Sequence, residues 1–287
     1  MLGKLHRSDW LRRLVMPLLK AFSRDIAIMH HWVPGASVFL NSYRHKGYWY
    51  HGKSREKSTL CLMKEIIKPG DLVVEVGGHI GYFSIFYSYI VGPRGGVIVF
   101  EPGANNLKYI KKNISQCGVG MLSSVELIEA AVGECDGEAA FYEENLTGQN
   151  NSLVKDFSGL KANKSKAHIE VDVKERKVQV KSVDSIDFTS RPAFIKVDVE
   201  GYEWGVLQGA AKTIQRYSPA MMVEVQANRE EIFDFLVNQN YRMFDDHMRE
   251  LKCASQLRMN VFCLHAAKHD GLINNLVMNN GKNGVSV

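Results

Sequence analysis

The sequence predicts an α/β fold, a mostly parallel sheet covered by helices on both faces. Three observations predict it. Short β-branched apolar runs alternate with helical spacings along most of the chain. One such run, Leu72–Val76, breaks into Gly77-Gly78-His79-Ile80-Gly81, and helical spacing resumes with Phe83, Phe86 and Ile90. Acidic residues also recur where successive strands end, at Glu101, Glu129, Asp198 and Glu224. Strand, glycine turn and helix together bring backbone close to a ligand at a helix N-terminus. Glycines suit the turn because they allow positive φ and leave no Cβ in the ligand's way.

A length of 287 residues suits one large α/β domain with extensions, or two small ones. Hydrophobic residues at 45% and charged residues at 23% argue against a disordered or collagen-like chain. No apolar run reaches the length of a spanning helix. The N-terminus lacks the uninterrupted apolar core and small-residue cleavage site of a secretory signal. Cys61, Cys117, Cys135, Cys253 and Cys263 are scattered without CxxC spacing. They read as free thiols of a reducing, cytoplasmic setting, with neither a zinc site nor a disulfide framework. The formal net charge of +5 is unevenly placed: residues 1–70 hold 13 Lys/Arg and 4 Asp/Glu, a net +9, which leaves −4 for the rest. That argues against nucleic-acid binding by the domain built on the glycine turn.

In order along the chain, residues 1–57 form a basic extension and cap. Within it, residues 9–23 place Trp10, Leu14, Leu18 and Phe22 four apart, with Arg12, Arg13 and Lys20 between them. The pattern predicts an amphipathic helix, kinked or restarted at Pro17. It suits peripheral contact with an anionic membrane surface, or packing on its own domain or on a second subunit of a homo-oligomer. Residues 30–57 carry Tyr43, Arg44, His45, Tyr48, Trp49, Tyr50 and His51, and read as short strands and loops of a cap beside an acceptor site or a plain lid. A helix over 58–67 stops at Pro69-Gly70.

The main domain spans 58–267. Strands are expected at 97–100, Val125–Ile128, 178–183, 193–197, 221–225 and 260–264, with helices after Glu101-Pro102 and at about 201–216 and 229–239. The polar stretch 134–175, with Asn145 and Asn150-Asn151-Ser152, reads as short antiparallel strands and loops. Residues 268–287, rich in Asn and Gly, are expected to form a flexible tail. Ligands of a parallel sheet sit beyond the carboxyl ends of its strands. Glu101 lies 20 residues beyond Gly81, the spacing of an acidic group that accepts both hydroxyls of a ribose.

Four blocks of the chain resemble the FkbM-type S-adenosylmethionine-dependent methyltransferases. They are Glu75-Val-Gly-Gly-His-Ile-Gly81; Phe100-Glu-Pro102 with Asn113; Ala130-Ala-Val-Gly133; and Ile195-Lys-Val-Asp-Val-Glu-Gly-Tyr-Glu203 with Val206-Leu-Gln-Gly-Ala210. The last is the most specific, and together they cover roughly residues 55–265. The resemblance implies a Rossmann-like class I methyltransferase sheet, mostly parallel with one antiparallel strand near the C-terminus. It makes 58–267 the methyltransferase domain. The family usually has Asp-x-Gly-Ala-Asn-x-Gly in the first block, where this chain has Glu75 for the Asp and His79 for the Asn.

By the same resemblance, Gly77, Gly78 and Gly81 bring backbone near the methionine part of the cofactor and Glu75 holds its ammonium group. His79 keeps the hydrogen-bonding ability of the Asn it replaces, or is a solvent-facing turn residue. Glu101 takes the ribose, and Glu129 with Ala130 lies beside the adenine. Asp198, Glu200 and Lys196 are the catalytic candidates, Asp198 orienting or deprotonating a sugar hydroxyl. Asp198 and Glu224 are candidates to hold a divalent cation through oxygen ligands, whereas Lys196 and Glu200 could form a structural ion pair.

The implied activity is O-methylation of a sugar hydroxyl in a glycan, glycolipid or glycosylated metabolite, by a cytoplasmic enzyme with or without membrane association. Two other classes fit the pattern: a nicotinamide-dependent oxidoreductase using a similar nucleoside pocket, and a non-catalytic module recruited to membranes by residues 9–23.

Overall fold

A computed structural model describes residues 17, 19–144, 147–155 and 172–283. An N-terminal hairpin of β1 (Asp25–Met29) and β2 (Ser37–Asn41) leads into the short α1 (Lys46–His51) and then α2 (Lys57–Ile66). The central sheet begins with β3 (Leu72–Val76), α3 (Tyr82–Val91), β4 (Gly96–Phe100), α4 (Ala104–Ile114) and β5 (Val125–Ile128). A small flap follows, made of β6 (Ala131–Val132), β7 (Gly137–Glu144) and β8 (Val173–Lys181). The chain returns to the sheet with β9 (Pro192–Val197), α5 (Glu203–Gln208), α6 (Ala211–Tyr217), β10 (Ala220–Val225) and α7 (Arg229–Asn238). It finishes with β11 (Tyr241–Phe244), β12 (Glu250–Leu251), β13 (Met259–His265) and α8 (Asp270–Asn283).

The central sheet has eight strands in the order β12-β11-β13-β10-β9-β3-β4-β5. Strands β5, β4, β3, β9 and β10 are parallel, and β13 inserts antiparallel between β10 and β11. The two-residue β12 adds a third antiparallel pairing at the edge. Every residue of β3 is buried, as a strand covered on both faces must be, and this is why it reads as an unbroken apolar run. Successive side chains alternate between two cores. Val73, Phe194, Met222 and Phe262 face α2, α3 and α8, whereas Val74, Ile195, Val223 and Val261 face α5, α6 and α7.

This alternation places the acidic and basic strand residues. Glu75 shares a face with Val73, Lys196 with Phe194 and Glu224 with Met222, and Glu75 is the register partner of Lys196. All three therefore look to the same side of the sheet near its C-terminal edge. Strand β4 reverses into α4 just beside them.

Three expectations change. The segment taken as a flexible tail carries α8, whose Ile273 and Leu276 are buried against the sheet. Burying each contributes roughly 1.5–3 kcal/mol. The strand expected at 178–183 is the second half of β8, which starts at Val173 and pairs antiparallel with β7 along its whole length. The cap also shares the domain core: Val33, Val38, Leu40 and Tyr48 pack in the same cluster as Leu60, Ile85 and Phe194. Asn113 on α4 fastens it by donating to Phe39 O at 2.9 Å and accepting from Phe39 N at 2.6 Å, as a neighbouring strand would. Of the amphipathic stretch 9–23, residues 9–16 and 18 lie outside the described residues; Leu19 and Phe22 are exposed. No described helix is long and apolar enough to cross a membrane.

Candidate active site

The carboxyl ends of β3, β4, β9 and β10 open onto one pocket, roofed by Tyr48 and Arg55 of the cap and by Gln149 and Asn151. The glycine turn forms its near wall. Gly77 N and Gly78 N both donate to Phe100 O, at 3.1 and 3.0 Å, which clamps the end of β3 to the end of β4. Gly77 has φ +90°, and a Cβ there would lie 1.9 Å from the Asp198 carbonyl oxygen. A Cβ on Gly78 would lie 2.4 Å from Val99 Cγ2. Close packing of protein on protein therefore requires these two glycines as well. Gly81 starts α3 and lies against Ile110, outside the pocket lining.

At one end of the pocket, Glu101 is buried and its carboxylate organises the turn. Its Oε2 accepts from His79 N at 2.7 Å; its Oε1 accepts from Gly103 N at 2.8 Å and Asn106 Nδ2 at 3.2 Å. Burial raises its pKa to about 7, against the lowering effect of these donors. Oε2, with a single donor, keeps capacity for a further hydrogen bond.

His79 occupies a left-handed position, φ 48°, and its ring is held at both nitrogens, which removes the solvent-facing reading. Nε2 lies 3.4 Å from Thr147 O and Nδ1 3.1 Å from Tyr48 OH. Burial lowers its pKa to about 4, so the ring is neutral. A carbonyl only accepts, so Nε2 carries the proton and Nδ1 accepts from the tyrosine hydroxyl. Ala130 lines this end beside Ala131 and Phe141. Glu129 does not: it points away and pairs with Lys111 at 2.7 Å, both side chains half exposed. Its expected place beside an adenine is corrected to the outer surface.

The other end of the pocket is built on Lys196. This fully buried lysine donates to Asp198 Oδ2 at 2.8 Å and lies 4.0 Å from Glu75 Oε1. Its expected partner Glu200 is not among these contacts; Glu200 instead accepts from Gln226 Nε2 at 2.8 Å. Glu75 accepts from Ser84 Oγ at 2.6 Å, and burial, partly offset by Lys196, raises its pKa to about 7. Asp198 resists burial because Lys196 stands beside it, and it stays below the usual carboxylate range. The charge on Asp198, followed by burial, pushes Glu224 far above that range. The two therefore hold one proton between them, in a hydrogen bond from Glu224 to Asp198.

Glu200, at φ 46°, is raised to about 8 by burial and then by the Asp198 charge. Glu203 is fully buried, with Oε1 accepting from Gly201 N at 2.7 Å and Oε2 lacking any partner among the described residues. Burial raises it to about 7. The Lys-x-Asp-x-Glu-Gly-x-Glu block is thus one electrostatic unit, the last Glu bracing the turn that presents the others.

The divalent-cation reading finds no support here. Among the described residues, no group of three or more His, Cys, Asp or Glu side chains could hold a metal ion. Asp198 is bonded to Lys196, and Glu224 keeps its proton beside the Asp198 charge.

Glu75, Gly77, Gly78, His79, Glu101, Ala130, Lys196, Asp198, Glu200 and Glu224 all line this one pocket. Sequence reasoning misses Arg55, Asn106 and Asn151, whereas Tyr48 belongs to the aromatic cap expected beside an acceptor site. Asn151 accepts from Glu144 N and donates to Asn105 Oδ1, each at 3.0 Å, tying the 147–155 segment to α4. The polar run Asn150-Asn151-Ser152 was its one visible signal.

Comparison with known proteins follows this geometry. The model of the methyltransferase FkbM domain matches residues 75–257. No curated protein matches the chain. A methyltransferase FkbM structure from Methylobacillus flagellatus is similar at 16% identity and TM-score 0.48, covering 72% of this chain and 47% of the other. This chain therefore spans about half the length of that protein. A fibrillarin from Aeropyrum pernix with natively bound S-adenosyl-L-methionine is similar at 14% identity and TM-score 0.39, covering 83% and 87%. A putative rRNA methylase from Clostridium thermocellum is similar at 14% identity and TM-score 0.42, covering 72% and 92%.

Proposed function

The chain belongs to the FkbM methyltransferase family, and we propose that it transfers a methyl group from S-adenosylmethionine to a hydroxyl oxygen of a sugar in a glycan, glycolipid or glycosylated metabolite. One observation carries the reading: a single pocket joins the Gly77–Gly78 turn and Glu101 to a carboxyl cluster whose member Glu200 titrates near physiological pH. The residues fit such a cofactor. Glu101 Oε2 has room to accept from a ribose hydroxyl, Ala130 and Phe141 offer an apolar slot, and Glu75 presents a carboxyl toward an ammonium group.

When bound, S-adenosylmethionine supplies an electrophilic methyl group on a sulfonium centre. The protein's tasks are then to align the acceptor oxygen and to take its proton. Transfer would exchange the S–CH3 bond for an O–CH3 bond and leave the thioether, and the acceptor's O–H proton would pass to Glu200 in its ionised form. Asp198 is a weaker base because Lys196 stabilises its ionised form; its role is to orient the hydroxyl and, with Lys196, to fix the local field. Tyr48, Tyr82 and Phe83 beside these carboxyls offer the aromatic faces and acceptors that suit a polyhydroxylated ring.

Calorimetric titration with S-adenosylmethionine and S-adenosylhomocysteine tests the cofactor half, and binding of neither would overturn it. Transfer of labelled methyl into base-stable sugar ethers from a glycan extract tests the acceptor half.

A further inference from the structure

Arg55 is an unused cation in the wall of the pocket. Its guanidinium lies over the Tyr48 ring, 4.5 Å from the centroid, and close against the α1 backbone at Gly47. Its side chain makes no ion pair with the described residues, and Nε is buried without a hydrogen-bond partner. One of its five N–H donors, at Nε, is thus buried without a partner, and the planar fork that carries it lines the cavity. Desolvating donors without partners is costly, so such an arrangement points to a ligand that supplies acceptors.

The position of Arg55 assigns it to the acceptor end. Its neighbour Glu56 accepts from Asn260 Nδ2 at 3.3 Å, and Asn260 also bonds Thr59. That places the Arg55–Glu56 turn beside β13, next to β10 and Glu224, with the guanidinium between that end and the Tyr48–His79 pair. The surrounding cap is basic: residues 30–57 hold five Lys/Arg and one Glu. Six carboxyls line the pocket, Glu56, Glu75 and Glu101 among them, and the other three are offset. Lys196 compensates Asp198, Glu224 holds the shared proton, and Glu200 is largely protonated at neutral pH.

We infer that the acceptor is acidic: the molecule bearing the methylated hydroxyl also carries a carboxylate or phosphate group, which Arg55 receives through paired N–H donors. This rests on the methyltransferase reading and narrows its substrate class. A planar carboxylate matches the guanidinium fork, as does a phosphate with two oxygens presented together. The Tyr48 ring keeps the fork in its plane, so ordering it on binding loses little entropy. Arg55 is a specificity residue here, and the proton-accepting carboxyl lies across the pocket.

The test uses the full chain and matched probes: glucuronate, glucose 6-phosphate, inorganic phosphate and neutral glucose. Each is titrated calorimetrically with and without saturating S-adenosylhomocysteine. The expected result is that at least one anion binds ten-fold or more tighter than glucose. Arg55→Gln should erase that difference and Arg55→Lys should keep part of it. Affinity for S-adenosylhomocysteine should change less than about three-fold in either variant. The inference fails if wild-type protein binds no anion better than glucose, or if Arg55→Gln keeps the preference. It also fails if Arg55→Gln weakens S-adenosylhomocysteine ten-fold, because the arginine would then be holding the cofactor's own carboxylate. Absence of S-adenosylhomocysteine binding in the wild type would strike the methyltransferase reading instead, while the titrations without it still judge Arg55.

Discussion

Lys196 donates to Asp198 at 2.8 Å while standing 4.0 Å from Glu75, so one buried cation serves carboxyl groups from two neighbouring strands. Burial alone would lower the lysine pKa. Asp198 and then Glu75 overcome that effect and hold it above the usual lysine range. The pair is thus a fixed dipole in the pocket floor, and it dictates which nearby carboxyls keep their protons.

Removing the cation tests this directly. Lys196→Met leaves Asp198 and Glu75 buried without compensation, a change that typically costs about 3–5 kcal/mol. The loss should be largest near pH 8 and smaller near pH 5, where both carboxyls of the variant can take up protons. Urea unfolding at the two pH values reads the difference. Equal losses at both would mean that Lys196 contributes packing alone.

The wild-type protein should lose stability as pH rises through neutrality. Glu75, Glu101 and Glu203 are raised to about 7 and Glu200 to about 8, from an ordinary value of 4.5. Between pH 6.5 and 8 the folded state therefore binds more protons than the unfolded chain, and stability falls with increasing pH; below pH 6.5 the buried neutral His30, His79 and His269, lowered to about 4, oppose this slope. Each fully responding group changes the slope by roughly 1 kcal/mol per pH unit in that window. Glu203→Gln removes one such group and should flatten the profile. Denaturant midpoints from pH 6.5 to 8.5 measure it, and a profile that rises with pH over that range would contradict the assignment.

Two glycines with positive φ separate backbone conformation from steric demand. Gly92 has open space where a Cβ would go, whereas at Gly77 that atom would meet the Asp198 carbonyl at 1.9 Å. Gly92→Ala should cost about 1–3 kcal/mol from backbone strain alone, because φ 63° with ψ −178° is a region only glycine favours. Gly77→Ala should cost about 3 kcal/mol or more, because β3 and β9 must move apart. Similar thermal midpoints for the two variants would show that the sheet edge accommodates the methyl group.

The central sheet was legible because its strands are covered on both faces and so form unbroken apolar runs, as at Leu72–Val76. The site was legible where chemistry sits at strand ends, as with Glu101, Asp198 and Glu224. Helix α8 was not, since Leu272, Ile273 and Leu276 lie among Asn and Gly whose composition suggests a loop. Glu129 misled because it follows the end of β5 in sequence while its side chain turns out toward Lys111. Arg55 reaches the pocket only through packing of the cap on the domain. No local periodicity encodes that contact, and neither does any encode the Tyr48–His79 hydrogen bond.

The chemical step should report Glu200 as its base. A carboxyl raised to about 8 is mostly protonated at pH 7 and ionises as pH rises, so methyl transfer should increase through an apparent pKa near 8. Glu200→Gln keeps the hydrogen bond with Gln226 within reach but cannot accept a proton. Its kcat should fall about 10²-fold with the alkaline rise abolished, while S-adenosylhomocysteine affinity stays within a few-fold. Asp198→Asn acts differently. It removes the charge that raises both Glu200 and Glu224, so any residual activity should rise at lower pH than in the wild type. An unchanged pH profile in Glu200→Gln would transfer the base to the Asp198–Glu224 pair, whose single proton would then have to leave before the acceptor's could arrive.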